Sequence, residues 1–198
     1  GEPTSMREYE QAAGAAPLLV VHYIQIDDRL PALTNRVNAI ADSVARGRIP
    51  VVGMAFHGAL ERDNKAAQVD LTRDVARGRF DNVISEIARR LAALKEPVFV
   101  RPGYEFGGGG DGKIYDQRSY AEAFRRVVRL FRAAGATNVA FIWHQGNAPN
   151  YPDWYPGDEF VDWWGLSLFQ YPRAEVRAFA ADAARHGKPL MLAEASPR

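Results

Sequence analysis

Apolar runs recur along the chain, and each is separated from the next by a stretch with helical periodicity. Near-continuous apolar runs of this length are typical of strands that are buried on both faces, as in parallel sheets. The pattern therefore predicts an α/β fold with six parallel strands. The predicted strands are Pro17–Tyr23, Ile49–Phe56, Pro97–Arg101, Asn138–Trp143, Val161–Phe169 and Pro189–Glu194.

Helix signals lie between these runs. Asp81 is predicted to cap a helix with an apolar stripe that runs from Val83 to Leu94. The Ser119-x-x-Glu122 pattern predicts a capping box at the start of a second helix, and Gly135 suits its C-terminal end. Further helices are predicted at residues 35–46 and 172–187.

Alternating strands and helices fit both a doubly wound sheet and a (β/α)8 TIM barrel. The barrel is favoured because unusual polar and aromatic residues fall at or just past the C-terminal ends of different predicted strands, where barrel enzymes keep their chemistry. These residues are His57, Arg101, Glu105, Trp143, His144 and Glu194.

Composition and charge limit which partners and cofactors we expect for this chain. With 25 basic and 24 acidic residues the formal net charge is +1, which predicts neither a nucleic-acid partner nor an anionic lipid surface. No apolar stretch approaches the ~20 residues that a membrane span needs. The chain has no cysteine, and its four histidines lack metal-binding spacing, so we expect no metal and no cofactor.

The glycine-rich segment Gly107–Lys113 matches the spacing G-x-x-x-x-G-K of a phosphate-binding loop. In such a loop the next residue is Ser or Thr and a helix begins at the Gly-Lys pair. Here the next residue is Ile114, and the next helix signal is Ser119. We therefore expect an irregular loop beside Glu105, with Lys113 outside any helix, and not a nucleotide cradle.

Glu105 and Glu194 follow different predicted strands and would project over one barrel mouth. Two carboxylates across a cleft can hydrolyse a glycoside, one as acid and one as nucleophile. We expect carboxyl groups about 5–5.5 Å apart, the spacing of retaining enzymes. Glu105 would hold the proton, and Arg101 would grip Glu194 as a two-pronged fork. The alternative is that each carboxylate only pairs with Arg101 or Lys188 at a strand end.

Aromatic residues are dense between Trp143 and Trp164, and sugar rings stack their apolar faces on such side chains. Trp163 and Trp164 are adjacent, so a strand would point them to opposite faces, and at least one should lie in the core. Trp143 and Trp154 are the better candidates for sugar contact.

The ordered segments RPGYEFGG, NVAFIW, YPGDEFVDWWGLSLF and PLMLAEAS resemble the family 26 glycoside hydrolases, the β-mannanase-like branch of the clan A (β/α)8 barrels. The resemblance implies a retaining mechanism on a β-mannan-like polysaccharide or oligosaccharide, with Glu105 as acid/base and Glu194 as nucleophile. The predicted substrate-binding residues are His57, Arg101, Tyr104, Trp143, His144, Asn147, Trp154 and Tyr171. Polysaccharide hydrolases of this kind are generally exported, which implies a secreted or periplasmic protein.

Three positions depart from the family pattern. Tyr104 precedes the acid/base where the family usually has His, and Gly108 stands where Asn is common. Phe169 occupies the place of a Tyr that touches the nucleophile, with Tyr171 two residues on. These changes leave open another β-glycan as substrate, or a barrel that binds carbohydrate without cleaving it.

The chain is short for a complete barrel, which needs about 250 residues. Counted against the resemblance, the first and eighth barrel strands have no candidate. We therefore expect one incomplete barrel domain over residues 1–198, open between its first predicted strand and its last.

Overall fold

The computed structural model describes residues 8–11, 13–62, 65–107, 115–146, 148, 150–169 and 173–195. After a helical stretch at residues 8–11, eight strands and five further α-helices follow one another along this part of the chain. In order they are β1 (Leu19–Gln25), α1 (Leu30–Ala45), β2 (Ile49–Ala55), β3 (His57–Arg62), β4 (Lys65–Asp70), α2 (Thr72–Ala76), α3 (Asp81–Ala92), β5 (Val98–Pro102), α4 (Gln117–Ala133), β6 (Val139–Gln145), β7 (Trp163–Leu168), α5 (Arg173–Arg185) and β8 (Leu190–Ala195). Two 3₁₀ turns, Tyr151–Trp154 and Asp158–Phe160, lie between β6 and β7.

Six strands form one parallel sheet in the order β1-β2-β5-β6-β7-β8. The six predicted parallel strands are confirmed. Apart from the β3–β4 excursion, each strand pairs with the next along the chain, whereas a doubly wound sheet reverses its order part-way. This order, with helices between the strands, is that of a partial (β/α) barrel.

The sheet is open within the described residues, and its edges are β1 and β8, as predicted. It nevertheless curls strongly. The Tyr23 hydroxyl on β1 donates to Glu194 Oε1 on β8 over 3.0 Å, so the two edge strands meet through side chains. Apolar side chains on both edge strands are partly exposed, with Val21 38% and Leu192 55% exposed.

An antiparallel hairpin, β3–β4, follows β2 directly and was not predicted. It leaves the sheet at His57, which pairs with Asp70 at the base of the hairpin. Its sequence has few large apolar side chains, so it shows little of the alternation that marks a half-buried strand.

The hydrophobic core fills the space between the sheet and its helices. The predicted stripe on α3 is buried through Ile84, Ile87 and Leu91. The α4 side chain Phe131 meets Phe141 of β6 edge to face, with ring centroids 5.5 Å apart. Arg101, His144 and Ser167 lie on the opposite, inner face of the sheet.

The two predicted helix caps are wrong. Helix α3 has Phe80 at its N-cap, and Asp81 is its first residue, held by Arg126 of α4 through two contacts of 2.6 Å. Helix α4 begins earlier than predicted, with Asp116 at its N-cap, and Ser119 donates to the Asp116 carboxylate. Asp81 and Ser119 are residue types that often cap helices, but here they bind the Arg126 and Asp116 side chains.

Candidate active site

Glu105 lies in a tight turn that follows β5. Its own φ is +57° and that of Gly103 is +56°, both in the left-handed region that non-glycine residues rarely adopt. A Cβ at Gly103 would lie 2.7 Å from ring atoms of both Phe56 and Tyr120, so only glycine fits there. The direction of the Glu105 side chain is therefore set by a strained backbone conformation. Such strain is common at functional sites.

Phe106 fastens this turn to the neighbouring strand. Its N–H donates to the His144 carbonyl over 3.3 Å, and its own carbonyl accepts from the N–H of Gly146 over 3.0 Å. Its ring is completely buried and stacks on Trp143 and Trp154, at centroid distances of 4.8 and 5.3 Å.

Trp143 and Trp154, predicted to contact substrate, thus lie beneath the Glu105 turn. Trp143 is completely buried on the helix side of β6, against Phe179 of α5, and Trp154 is only 6% exposed. A direct sugar contact does not fit this burial. The structure instead makes them the support of the turn, and it confirms that Trp163 and Trp164 face opposite ways, since Trp163 packs on Phe99 and Trp164 on Phe179.

Arg101 connects the β5 strand to Glu194. It is completely buried on the inner face, and its Nη1 donates to Glu194 Oε1 over 2.8 Å. The expected two-pronged fork is not formed. Nε and Nη2 have no hydrogen-bond partner among the described residues, and the guanidinium instead lies against the rings of Tyr23 and Tyr104, 5.8 and 5.3 Å from their centroids.

Tyr23 supplies the second hydrogen-bond donor to Glu194, a contact that no sequence pattern indicated. Burial, and next the negative charge of Glu194, raise the pKa of Tyr23 to about 12, so its hydroxyl stays protonated at neutral pH. Both donors fall on the same carboxylate oxygen, Oε1. Two donors, one of them a cation, therefore fix the position of this oxygen.

A second set of contacts joins Arg101 to Glu105. Nη1 of Arg101 lies 3.2 Å from Nδ1 of His144, whose Nε2 is 3.0 Å from the Ser167 hydroxyl oxygen. Ser167 in turn donates to Glu105 Oε1 over 2.6 Å. We call Glu194, Arg101, His144, Ser167 and Glu105 the carboxylate network. Ser167 was missed in the sequence because nothing marks it within its apolar strand.

The carboxylate network brings both predicted catalytic residues to one end of the parallel sheet. Arg101, His144 and Ser167, from three successive strands, form its buried floor. His144, predicted to bind substrate, is completely buried and serves instead as an internal link. The expected 5–5.5 Å carboxyl spacing of a retaining enzyme stays a prediction.

The remaining predicted site residues differ in position. Tyr104 is 7% exposed, its ring centroid lies 5.3 Å from that of Tyr23, and burial raises its pKa to about 12. Gly53 makes room for these rings, since a Cβ there would lie 2.9 Å from Tyr23 and 3.0 Å from Tyr104. His57 is 8% exposed and stacks on Tyr115 at the base of the hairpin.

Two predicted substrate contacts, Asn147 and Tyr171, lie outside the described residues, as does Lys113 of the glycine-rich segment. Across the described ranges, no group of three or more His, Asp or Glu side chains could hold a metal ion. None of the helices in this part of the chain is both long and apolar enough to cross a membrane.

Comparison with known proteins identifies the family. Residues 39–194 match the family described as glycosyl hydrolase family 26, and the chain belongs to this family. The matched range contains Glu105 and ends at Glu194. The family resemblance of the sequence motifs is therefore confirmed.

Individual relatives share its sequence or its fold. The chain is 28% identical to the β-1,3-xylanase TXYA of a Vibrio species and 28% identical to a β-1,3-xylanase of an Alcaligenes species. Each of the two alignments covers 98% of this chain. It spans only 43% and 42% of those two proteins. Its fold is similar to that of GH26A from Muricauda sp. (TM-score 0.75, 19% identity, covering all of this chain and 74% of the other). It is also similar to a β-(1,4)-mannanase from Podospora anserina (TM-score 0.72, 20% identity, covering 98% and 50%).

Proposed function

We propose that this chain is the catalytic part of a retaining glycoside hydrolase that cleaves a β-linked polysaccharide with Glu105 and Glu194. The observation that carries the proposal is the carboxylate network, which joins both carboxylates at the end of the sheet where barrel enzymes bind substrate. Membership in family 26 supports the same chemistry.

In the first half-reaction, the Glu194 carboxylate attacks the anomeric carbon while Glu105 protonates the departing glycosidic oxygen. Arg101 and Tyr23 both donate to Oε1 of Glu194 and hold that oxygen in place. This leaves Oε2 of Glu194 as the attacking oxygen. The product is a glycosyl-enzyme ester and a released alcohol.

In the second half-reaction, Glu105 is a carboxylate and takes a proton from water as the water oxygen attacks the anomeric carbon. The ester bond to Glu194 breaks, and both glutamates return to their starting charge. Two inversions at one carbon give net retention of configuration.

For the substrate, we propose β-1,3-xylan first and a β-mannan second. The relatives that cover nearly the whole chain at 28% identity are β-1,3-xylanases. The similarity to the Podospora mannanase, at 20% identity, supports the fold alone. The proposal of a β-mannan therefore rests on the sequence motifs, and it comes second. Polymers of this size are degraded outside the cytoplasm, so we propose a secreted or periplasmic protein.

The first prediction is that Glu194→Gln and Glu105→Gln lower hydrolysis of the active glycan by about a thousandfold or more, because each removes a group on which bond breaking depends. The purified protein would be assayed on β-1,3-xylan, β-1,4-mannan and β-1,4-glucan by reducing-end release. Proton NMR of early products would establish the anomeric configuration. Glu105→Ala should retain turnover of aryl glycosides with good leaving groups, whereas Glu194→Ala should not.

Glu96→Gln is the matched control, because Glu96 is exposed and lies at the opposite end of β5. Binding of a glycan without any cleavage would replace the proposal by a carbohydrate-binding barrel. Initial release of the inverted anomer would contradict the retaining mechanism while keeping the two glutamates as acid and base.

A further inference from the structure

The donor direction through the carboxylate network follows from the chemistry of Arg101. A guanidinium has only donors, so Nδ1 of His144, 3.2 Å from Nη1, must accept. Protonation of Nδ1 would place two donors against each other at this contact. His144 is therefore neutral, and its single ring proton lies on Nε2.

The same argument continues through Ser167. Nε2–H of His144 donates to the Ser167 oxygen over 3.0 Å, so the one hydroxyl hydrogen of Ser167 is directed elsewhere. It is directed to Glu105 Oε1, at 2.6 Å. Both His144 and Ser167 are completely buried, so no solvent competes for these bonds.

We infer that His144 and Ser167 are positioning residues that make Oε1 of Glu105 a permanent acceptor, so that Oε2 is the oxygen that carries and delivers the proton. This inference rests on the proposed function. When Glu105 gives its proton to the glycosidic oxygen, the Oε2–H bond breaks and negative charge develops on the carboxyl group. The Ser167 hydrogen bond strengthens as that charge develops, and it thereby lowers the barrier to proton transfer.

The chain contains a matched pair outside the site. On α1, the Ser43 hydroxyl donates to the Ala39 carbonyl, and its oxygen lies 2.9 Å from Nε2 of His22 on β1. Ser43→Ala therefore removes a Ser–His contact of the same kind without touching the carboxylate network. It measures what such a contact contributes to folding alone.

The kinetic test compares Ser167→Ala with Ser43→Ala on two substrates that share one glycone, an unactivated oligosaccharide and its 2,4-dinitrophenyl glycoside. For Ser167→Ala we expect kcat/KM to fall about tenfold or more on the oligosaccharide, the size expected from one hydrogen bond to a charged group. On the dinitrophenyl glycoside, which needs no acid, it should fall less than about threefold. Ser43→Ala should leave kcat/KM unchanged on both substrates. Ser167→Thr, which retains the hydroxyl, should have a higher kcat/KM on the oligosaccharide than Ser167→Ala.

The second test needs no activity. Long-range ¹H–¹⁵N spectra of histidine-labelled protein, with the His144 signal assigned from the His144→Gln variant, should show His144 as the neutral Nε2–H form at neutral pH. A protonated Nδ1 would overturn the donor direction. An equal fall of kcat/KM on both substrates would reduce Ser167 to a structural role and overturn the inference, while the proposed function would stand. If wild-type protein cleaves no glycan, the proposed function fails, and the delivery role of Oε2 fails with it.

Discussion

Glu105 holds its side chain on a backbone with φ of +57°, where an L-residue is strained by about 1–2 kcal/mol. Neighbouring segments of the same chain leave little room for the backbone of this turn to relax. A Cβ at Gly146 would lie 2.7 Å from the Glu105 carbonyl oxygen, and one at Gly107 would lie 2.3 Å from the Cβ of Ala148. The turn is thus fixed by close backbone contacts and by the stacked ring of Phe106.

This strain predicts that Glu105→Gly is more stable than Glu105→Ala by about 1 kcal/mol in free energy of unfolding, because glycine adopts the left-handed region without a Cβ clash. Both variants lack the carboxylate, so the comparison isolates the backbone. Urea unfolding of the two proteins measures it. An alanine variant of equal or greater stability would show that the turn relaxes when the side chain is removed.

The raised pKa of Tyr23 leads us to expect a loss of folding stability at alkaline pH. Its folded pKa of about 12 lies above the unfolded value of about 10, so its contribution is fully present below pH 10 and is lost as pH rises towards 12. Tyr23→Phe removes this ionisation, and the variant should lose less stability than wild type between about pH 10 and 12. Thermal unfolding across this window tests the expectation, and parallel loss in both proteins would contradict it.

At the level of single residues, the sequence marked Glu105, Glu194, Arg101 and His144 because each polar group follows or ends an apolar run. It did not mark Ser167, since a serine inside a parallel strand carries no sign of the face it occupies. It also assigned Trp143 to substrate, because the direction of a side chain in a strand apolar on both faces cannot be read from the pattern. The contact between Tyr23 and Glu194 depends on the curvature of the whole sheet.

Helices α3 and α4 are joined at the surface by Asp81 and Arg126. The two contacts of 2.6 Å form a bidentate pair, and the Arg126 hydrogen bonds hold the pKa of Asp81 below its usual value. A depressed carboxyl pKa contributes stability at neutral pH that is lost as the pH falls through the folded pKa.

We predict that Asp81→Asn and Arg126→Gln each destabilise the protein by up to about 1 kcal/mol, and that the double variant costs less than their sum. Salt near 1 M should remove most of the difference, because both side chains are one-third exposed. A double-mutant cycle by urea unfolding measures the coupling. Strict additivity would show that the pair contributes no coupling energy.

The element pattern was predictable to within a few residues for the six parallel strands, since each is a long apolar run. Helix starts were not, because Asp81 and Ser119 are capping residue types that here serve an ion pair and an Asp116 contact. The β3–β4 hairpin was missed because Leu60 and Val69 are its only large aliphatic residues. The Asp63-Asn64 dipeptide in the sequence between its strands was the one turn signal available.

For the whole molecule, the barrel alternative was favoured by the polar residues at strand ends, and the observed strand order agrees with it. The order also explains why the site is divided over the chain. Arg101, His144 and Ser167 come from three successive strands in the middle of the sheet, whereas Tyr23 and Glu194 stand on its two edges.

The contact between the two edges has a consequence for the order of events in folding. Tyr23 and Glu194 are 171 residues apart, and their hydrogen bond requires all six strands to be in place. We expect such a contact to form after the folding transition state, so Tyr23→Phe should speed unfolding and leave the refolding rate unchanged, as stopped-flow fluorescence would show. A slower refolding variant would place the closure of the two edges in the folding nucleus. If the Tyr23 contact forms only at this last stage, the secondary structure of a newly synthesised chain should be in place before the carboxylate network is complete.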